Sequence, residues 1–458
     1  MGDSSLDEAL LRSRKSVPDD PRLERIYLGV KEMQEFSKMS ASELKALESD
    51  LLKRYEDFKS KNLKLDMSRG KPCKEQLELS MDMFNVLKSS EDYLTSDKVD
   101  TRNYGGVDGI TEAKELFANL LGVSTKEIII GGNSSLNMMY DTILRALVLG
   151  VPDSEKPWGA LPKVKFLCPS PGYDRHFAIC EDLGIEMITI PMKSDGPDMD
   201  LVEELVSNDE SIKGMWNVPK YSNPDGITYS DSVVDRLAKM KTKAPDFRIF
   251  WDNAYAVHHL YDEHDSLKDI LAACKDAGNP NRVFIFASTS KISFPGAGVA
   301  MCAASEENIN FIKKHMSFQT IGPDKINQLR HVRFFKSVDG IEQHMKKHAE
   351  ILRPKFETVL GILDSELSGK GIAWWNKPRG GYFISLNTME GCAKAVVSMA
   401  AEAGVKLTNA GATFPYGKDP LDRNIRIAPS FPPLDELKQA IELVCICVQL
   451  VSIRALIK

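Results

Sequence analysis

The residues best suited to chemistry lie in Ala287-Ser288-Thr289-Ser290-Lys291, followed by Gly296-Ala297-Gly298. A lysine set among hydroxyl side chains and glycines can anchor a phosphate and form a Schiff base. The preceding run Val283-Phe284-Ile285-Phe286 is apolar enough to be a buried strand. A lysine at the end of such a strand sits in a dry place, where its charged form is disfavoured and its amine becomes nucleophilic. Taken alone, the segment also reads as an ordinary solvated loop, since lysines are mostly exposed.

Three further segments carry chemistry. Phe247-Arg248-Ile249-Phe250-Trp251 reads as a buried strand ending in Asp252-Asn253-Ala254-Tyr255, at the rim where open α/β sheets bind ligands. By themselves Asp252 reads equally as a cap and Tyr255 as core packing. Asn217 to Gly226 contains Asn223-Pro224-Asp225-Gly226, a turn in which Pro sets φ and Gly accepts φ > 0; the Asn223 amide can donate to a ligand oxygen. Ile128-Ile129-Ile130-Gly131-Gly132-Asn133-Ser134-Ser135 reads as strand, glycine turn and helix start. Free first-turn N–H groups and the macrodipole favour an anion there, although Ser134 also reads as a plain N-cap.

In this order, cradle, Asn-Pro turn, Asp-x-x-Tyr and Ser-x-Ser-Lys, the chain resembles the fold type I pyridoxal-phosphate aminotransferases. Tyr104 with Gly109 looks like the family element that reaches into the neighbouring subunit's site. Pro169-Ser170-Pro171-Gly172-Tyr173 looks like the segment whose aromatic stacks on the cofactor ring, and Asn424-Ile425-Arg426-Ile427-Ala428 like the late Ile-Arg that binds the substrate α-carboxylate. Asp66-Met67-Ser68-Arg69-Gly70-Lys71-Pro72 and Lys291-Ile292-Ser293-Phe294-Pro295-Gly296-Ala297-Gly298 are similar to the aspartate aminotransferase subgroup Ic. The same segments resemble the aminotransferase half of MocR-type regulators. The likeness runs from about Asp66 to the C-terminus. One departure stands out: many family members carry a phosphate-binding arginine shortly after the lysine, where this chain has Gly298-Val299-Ala300.

The resemblance implies a cofactor, pyridoxal 5'-phosphate, held covalently by Lys291, which then returns as the base that moves a proton. Asp252 would face the pyridine nitrogen. A unit-charge pair near contact is worth roughly 4 kcal/mol at an effective dielectric of about 20 against about 1 in water, so this aspartate must be buried. Asn223 and Tyr255 would bond the ring's phenolic oxygen, Tyr173 would stack on the ring, and Ser134, Ser135, Ser288 and Ser290 would take the phosphate. Arg426 would grip the α-carboxylate with a fork that lysine cannot reproduce. The distal carboxylate of an acidic substrate needs a second cation, with Arg69, Arg102, Lys325 and Arg330 as candidates. Arg69, beside Gly70 in the family's mobile loop, has the edge. His258 and His259 read as packing or structural hydrogen-bonders, because transamination already has its base. The implied function is transamination from an acidic amino acid, aspartate first, to 2-oxoglutarate by a ping-pong mechanism. The alternatives are an aminoadipate or aromatic transaminase, a β-lyase, or a regulator that only senses the cofactor.

The bulk properties fit. The chain has 458 residues, 43% hydrophobic and 27% charged, enough for two domains. A net charge of −6 argues against a nucleic-acid partner, and no three-helix DNA-reading pattern precedes Met67. Eight cysteines without metal spacing read as reduced thiols of a cytoplasmic protein. No run is expected to span a membrane, the best, Leu443 to Val448, stopping at Gln449. The Tyr104 match implies a homodimer with shared sites.

These groups must be positioned by an α/β fold. Strand-like runs at Glu127–Ile130, Val164–Cys168, Glu186–Ile190, Gly214–Val218, Arg248–Trp251, Val283–Ala287 and Val299–Cys302 alternate with helical ones, predicting a mainly parallel sheet with helices on both faces. Ser40-Ala41-Ser42-Glu43 is a capping box opening a helix striped with Leu44, Leu47, Leu51, Tyr55 and Phe58. A long helix is expected from near Gln343 to Leu367, then strands at Gly381–Leu386 and Arg423–Ala428 and a C-terminal helix. The implied division is a mobile segment 1–20, a small α/β domain from 21–75 and 340–458, and a large cofactor-binding domain 76–339.

Overall fold

The computed structural model describes residues 35–458; the segment 1–20 and the start of the expected small domain lie outside them. An eight-stranded sheet has the spatial order Ile128–Ile130, Ala300–Ala303, Val283–Ser288, Arg248–Asp252, Ile212–Asn217, Lys165–Ser170, Glu186–Lys193, Gly196–Pro197. From Val283–Ser288 to Glu186–Lys193 every pairing is parallel. The Ala300–Ala303 strand runs antiparallel to both neighbours. Each strand expected in this sheet is present, with ends within two residues of those predicted except that Glu186–Lys193 runs three residues further.

These strands read as continuous apolar runs because both faces are covered. Successive side chains point to opposite faces. Leu167, Met215, Ile249, Trp251, Val283 and Ile285 join a core with the Thr111–Leu121, Asp231–Lys239 and Ile270–Asp276 helices. Phe166, Cys168, Trp216, Phe250, Phe284 and Phe286 join another with the Ser135–Leu149, Asp174–Asp182 and Glu306–Gln319 helices. Parallel strands finish on the same edge, so Ser170, Asn217, Asp252 and Ser288 end together there.

A second unit packs against that edge. Its first helix, Ala41–Ser60, starts as the capping box dictates: Ser40 Oγ accepts from Glu43 N at 3.3 Å and Glu43 Oε2 from Ser40 N at 2.8 Å. It buries Leu44, Leu51, Tyr55 and Phe58 in a core shared with the C-terminal helix. The expected long helix begins earlier, at Val338, where Ser337 Oγ accepts from Gly340 N. It links the units, with Ile341 and Met345 in one core and Leu352 to Leu367 in the other.

Two expectations need correction. The strand read as Gly381–Leu386 begins only at Ile384, because Gly381 turns at φ +80° and Gly380 abuts Tyr221. The C-terminal helix, Leu434–Ile457, is long and apolar enough to cross a membrane by length and composition. The apolar pattern does not stop at Gln449, whose Oε1 is buried and accepts from Lys370 Nζ at 2.6 Å. The helix is a core element, packed on Val338–Leu367, Ala41–Ser60 and Ala393–Glu402.

Candidate active site

The carboxyl edge of the sheet and the second unit enclose a cleft of about 520 Å³. Ser134, Ser135, Tyr173, Asn223, Asp252, Tyr255, Ser288, Ser290, Lys291, Arg426, Arg69 and Gly70 all line it. Residues far apart in the chain meet here because each follows a strand ending on one edge, or a loop of the second unit facing it.

Lys291 Nζ lies 5.0 Å from the Tyr255 ring centre and 5.8 Å from that of Tyr382. Dehydration pulls its ammonium below the usual lysine range, partly opposed by the Asp252 charge. Asp252 is 3% exposed. Its Oδ2 lies 3.0 Å from His176 Nε2, and the His176 ring stacks flat on Trp216 with centres 4.1 Å apart. Asp252 Oδ1 is buried with no hydrogen-bond partner among the described residues. A buried carboxylate oxygen left so is costly, and it fits a cationic N–H such as a protonated pyridine. Burial also drives the Tyr173 hydroxyl up to about 12 and the Tyr255 hydroxyl well above its ordinary value, so both are hydrogen-bond donors at neutral pH.

Ser134 occupies the N-cap position of the Ser135–Leu149 helix, yet its hydroxyl makes no cap bond. That hydroxyl and the free first-turn N–H groups fit a phosphate. Ser288 Oγ donates to Ser290 Oγ at 3.0 Å. The stretch Gly298-Val299-Ala300 runs into the Ala300–Ala303 strand and offers no guanidinium to the cleft.

Arg426 is 6% exposed and stands over the Phe383 ring, 4.9 Å from its centre. Its Nη1 donates to Asp174 Oδ1 at 2.7 Å and Asn223 Oδ1 at 3.3 Å, and Nη2 to Thr408 Oγ1 at 3.3 Å. Its Nε is buried with no partner among the described residues. Gly70 passes so close to Phe383 that a Cβ would sit 2.6 Å from Cζ. Of the distal-cation candidates, only Arg69 reaches the cleft. Arg102 pairs with Asp100, Lys325 donates to Gly105 O at 2.7 Å, and Arg330 to Asn327 Oδ1 at 2.6 Å. Tyr104 is 83% exposed and lies outside its own chain's cleft.

His258 is buried with neither ring nitrogen bonded among the described residues, packed edge-on to Tyr255 and Tyr382. His259 Nδ1 lies 2.8 Å from Tyr221 Oη, and burial draws its pKa down to about 3. Neither lines the cleft. Sequence reasoning missed His176, Asp174, Arg175, Thr408 and Tyr382. The spacing of Tyr173 and His176, one helical turn apart, was the available signal for the first.

A family profile described as aspartate amino-transferase matches residues 39–458. The chain belongs to the aspartate aminotransferase family. The chain is 49% identical over 403 residues to the aspartate aminotransferase of Corynebacterium glutamicum, covering 88% of this chain and 93% of that one. It superposes on a crystal structure of an aspartate transaminase from Corynebacterium glutamicum with a TM-score of 0.90 at 46% identity, covering 93% of this chain and all of the other. The α-aminoadipate aminotransferase of Thermus thermophilus, complexed with N-(5'-phosphopyridoxyl)-L-leucine, shares the fold at 19% identity, with a TM-score of 0.70 over 86% of this chain and 93% of that one. The chain is thus an aspartate aminotransferase-like enzyme on an α/β fold with a mainly parallel central sheet.

Proposed function

We propose that this aminotransferase carries pyridoxal 5'-phosphate and transfers the amino group of an acidic amino acid, aspartate first, to 2-oxoglutarate in two half-reactions. The observation that carries this reading is the sharing of one cleft by a dehydrated Lys291 amine and an Asp252 oxygen with no protein partner. Ser134, Ser135, Ser288 and Ser290 hold the phosphate with the helix N-terminus. Asp252, steadied by His176, faces the ring nitrogen; Tyr173 covers the ring; Asn223 and Tyr255 donate to the phenolic oxygen. Tyr104 reaches the phosphate of the other subunit in a homodimer. The bound cofactor supplies an electron-accepting ring conjugated to the substrate Cα.

The protein's residues do the rest. Lys291 would anchor the cofactor, and its Nζ, once released, would serve as the base that moves the substrate Cα proton. Its lowered proton affinity keeps more of the amine free near neutrality. Arg426 holds the α-carboxylate and so fixes which bond at Cα faces Lys291. Arg69 is proposed for the distal carboxylate, with Arg175 the other guanidinium on the wall besides Arg426. Eight free, buried cysteines fit a reducing, cytoplasmic setting.

The test is to mix the loaded enzyme with aspartate and 2-oxoglutarate. Glutamate and oxaloacetate should form one for one, without ammonia, and double-reciprocal plots should be parallel. Ammonia release without glutamate would overturn the reading.

A further inference from the structure

The substrate arginine already carries an anion. Asp174, the first residue of the Asp174–Asp182 helix, places Oδ1 2.7 Å from Arg426 Nη1 inside the cleft. The two partners are unequally held. Arg426 is 6% exposed and touches Asn223, Thr408 and the Phe383 ring besides Asp174. The Asp174 side chain is 33% exposed, and Arg426 is its ion-pair partner. If one of them turns away, it is Asp174.

We propose that Asp174 is a stand-in for the substrate α-carboxylate: it neutralises Arg426 in the empty site and gives way when an amino or oxo acid binds. This rests on the reading of Arg426 as the α-carboxylate residue. The physical case has two parts. A buried guanidinium without an anion is costly, so the empty enzyme gains from an internal one. A second carboxylate brought against Arg426 meets Asp174 at close range, and like charges there repel by more than in bulk water. Rotation of the Asp174 side chain, which is already partly open to solvent, relieves that repulsion without moving the backbone. Asp174 therefore weakens the binding of every carboxylate ligand by the cost of this exchange, whatever the rest of the ligand.

The proposal is tested with the loaded enzyme, by calorimetric titration with maleate and propionate, which bear carboxylates but no amino group. Asp174→Asn keeps the size and removes the charge, and should tighten both ligands by the same factor, roughly tenfold, the scale of one partly screened charge contact. Asp174→Ser should tighten both as well. A damaged fold cannot raise affinity, so the direction separates exchange from structural loss. Unchanged or weaker binding in both variants, as expected if Asp174 merely clamps Arg426 in position, overturns the proposal. Arg426→Ala is the control. If it abolishes binding while the Asp174 variants fail to tighten, the proposal falls alone; if it leaves binding intact, the reading of Arg426 falls and the proposal with it.

Discussion

Asp252 Oδ2 lies 3.0 Å from His176 Nε2, while Oδ1 of the same carboxylate is buried without a partner among the described residues. One oxygen is thus spent on orientation and the other is left for a ligand. Asp252→Asn keeps the shape and removes the charge. It should lower kcat by about a thousandfold, the rate equivalent of roughly 4 kcal/mol for a buried charge pair, and weaken retention of pyridoxal phosphate on dialysis. His176→Phe keeps the stack on Trp216 and removes the bond to Asp252. It should lower kcat less, by about tenfold, the scale of one hydrogen bond to a charged group. Stopped-flow measurement of each half-reaction decides both, and full activity in Asp252→Asn would end this assignment.

Lys291→Ala should remove turnover and the visible absorbance of lysine-bound cofactor, leaving added pyridoxal phosphate free to dialyse away. In the cofactor-free protein the rate at which added pyridoxal phosphate restores the visible absorbance should rise with pH along a limb below the ordinary lysine value of 10.5, because dehydration disfavours the ammonium. A limb at or above 10.5 contradicts the dry site.

Gly70→Ala should raise KM for aspartate about fivefold. Its Cβ would meet Phe383 Cζ at 2.6 Å, and Phe383 underlies Arg426. Overpacking of this kind costs about 1 kcal/mol or more. Initial-rate kinetics check it; an unaltered KM would mean that the loop yields instead of the ring.

Arg69→Ala should lower kcat/KM for aspartate by tenfold to about a hundredfold, the range of a charge-assisted hydrogen bond, and leave alanine nearly unaffected. Arg426→Ala should harm both amino acids alike. If Arg175→Ala produces the aspartate-selective loss and Arg69→Ala does not, the distal role belongs to Arg175.

His331 is fully buried among Thr289, Ser293 and Asn327, and burial lowers its pKa to about 4. Unfolding returns it to about 6.5, so between these values the unfolded chain binds the extra proton. Its contribution is complete above pH 6.5 and is lost as pH falls towards 4, at up to ~1.4 kcal/mol per pH unit. His331→Gln should flatten the acid side of a plot of denaturation midpoint against pH. An unchanged slope would refute it.

Much of the scaffold was legible in the chain. Doubly covered parallel strands must be apolar throughout, which made Val283 to Phe286 and Phe247 to Trp251 conspicuous. Asp252 closes one such strand, and Asn223 and Lys291 follow two others within six residues, so all three were expected at one edge; their chemical roles were legible only through the family resemblance. The misreadings have physical causes. Gly381 looked like strand because local pattern does not reveal a turn made to clear Tyr221. The helix through Gln449 looked interrupted because a buried polar residue reads as exposed until its partner, Lys370, is in view.

The sequence by itself determined which strands form, to within a few residues at their ends, and which family they match, because these depend on local periodicity and on residue type. Only the tertiary structure decided which charges meet. It brought Asp174 onto Arg426 and His176 onto Asp252, and it placed Arg175 in the cleft while drawing Arg102, Lys325 and Arg330 away to other partners. Electrostatic pairing depends on distance and dehydration across elements remote in the chain, and no spacing along one segment records either.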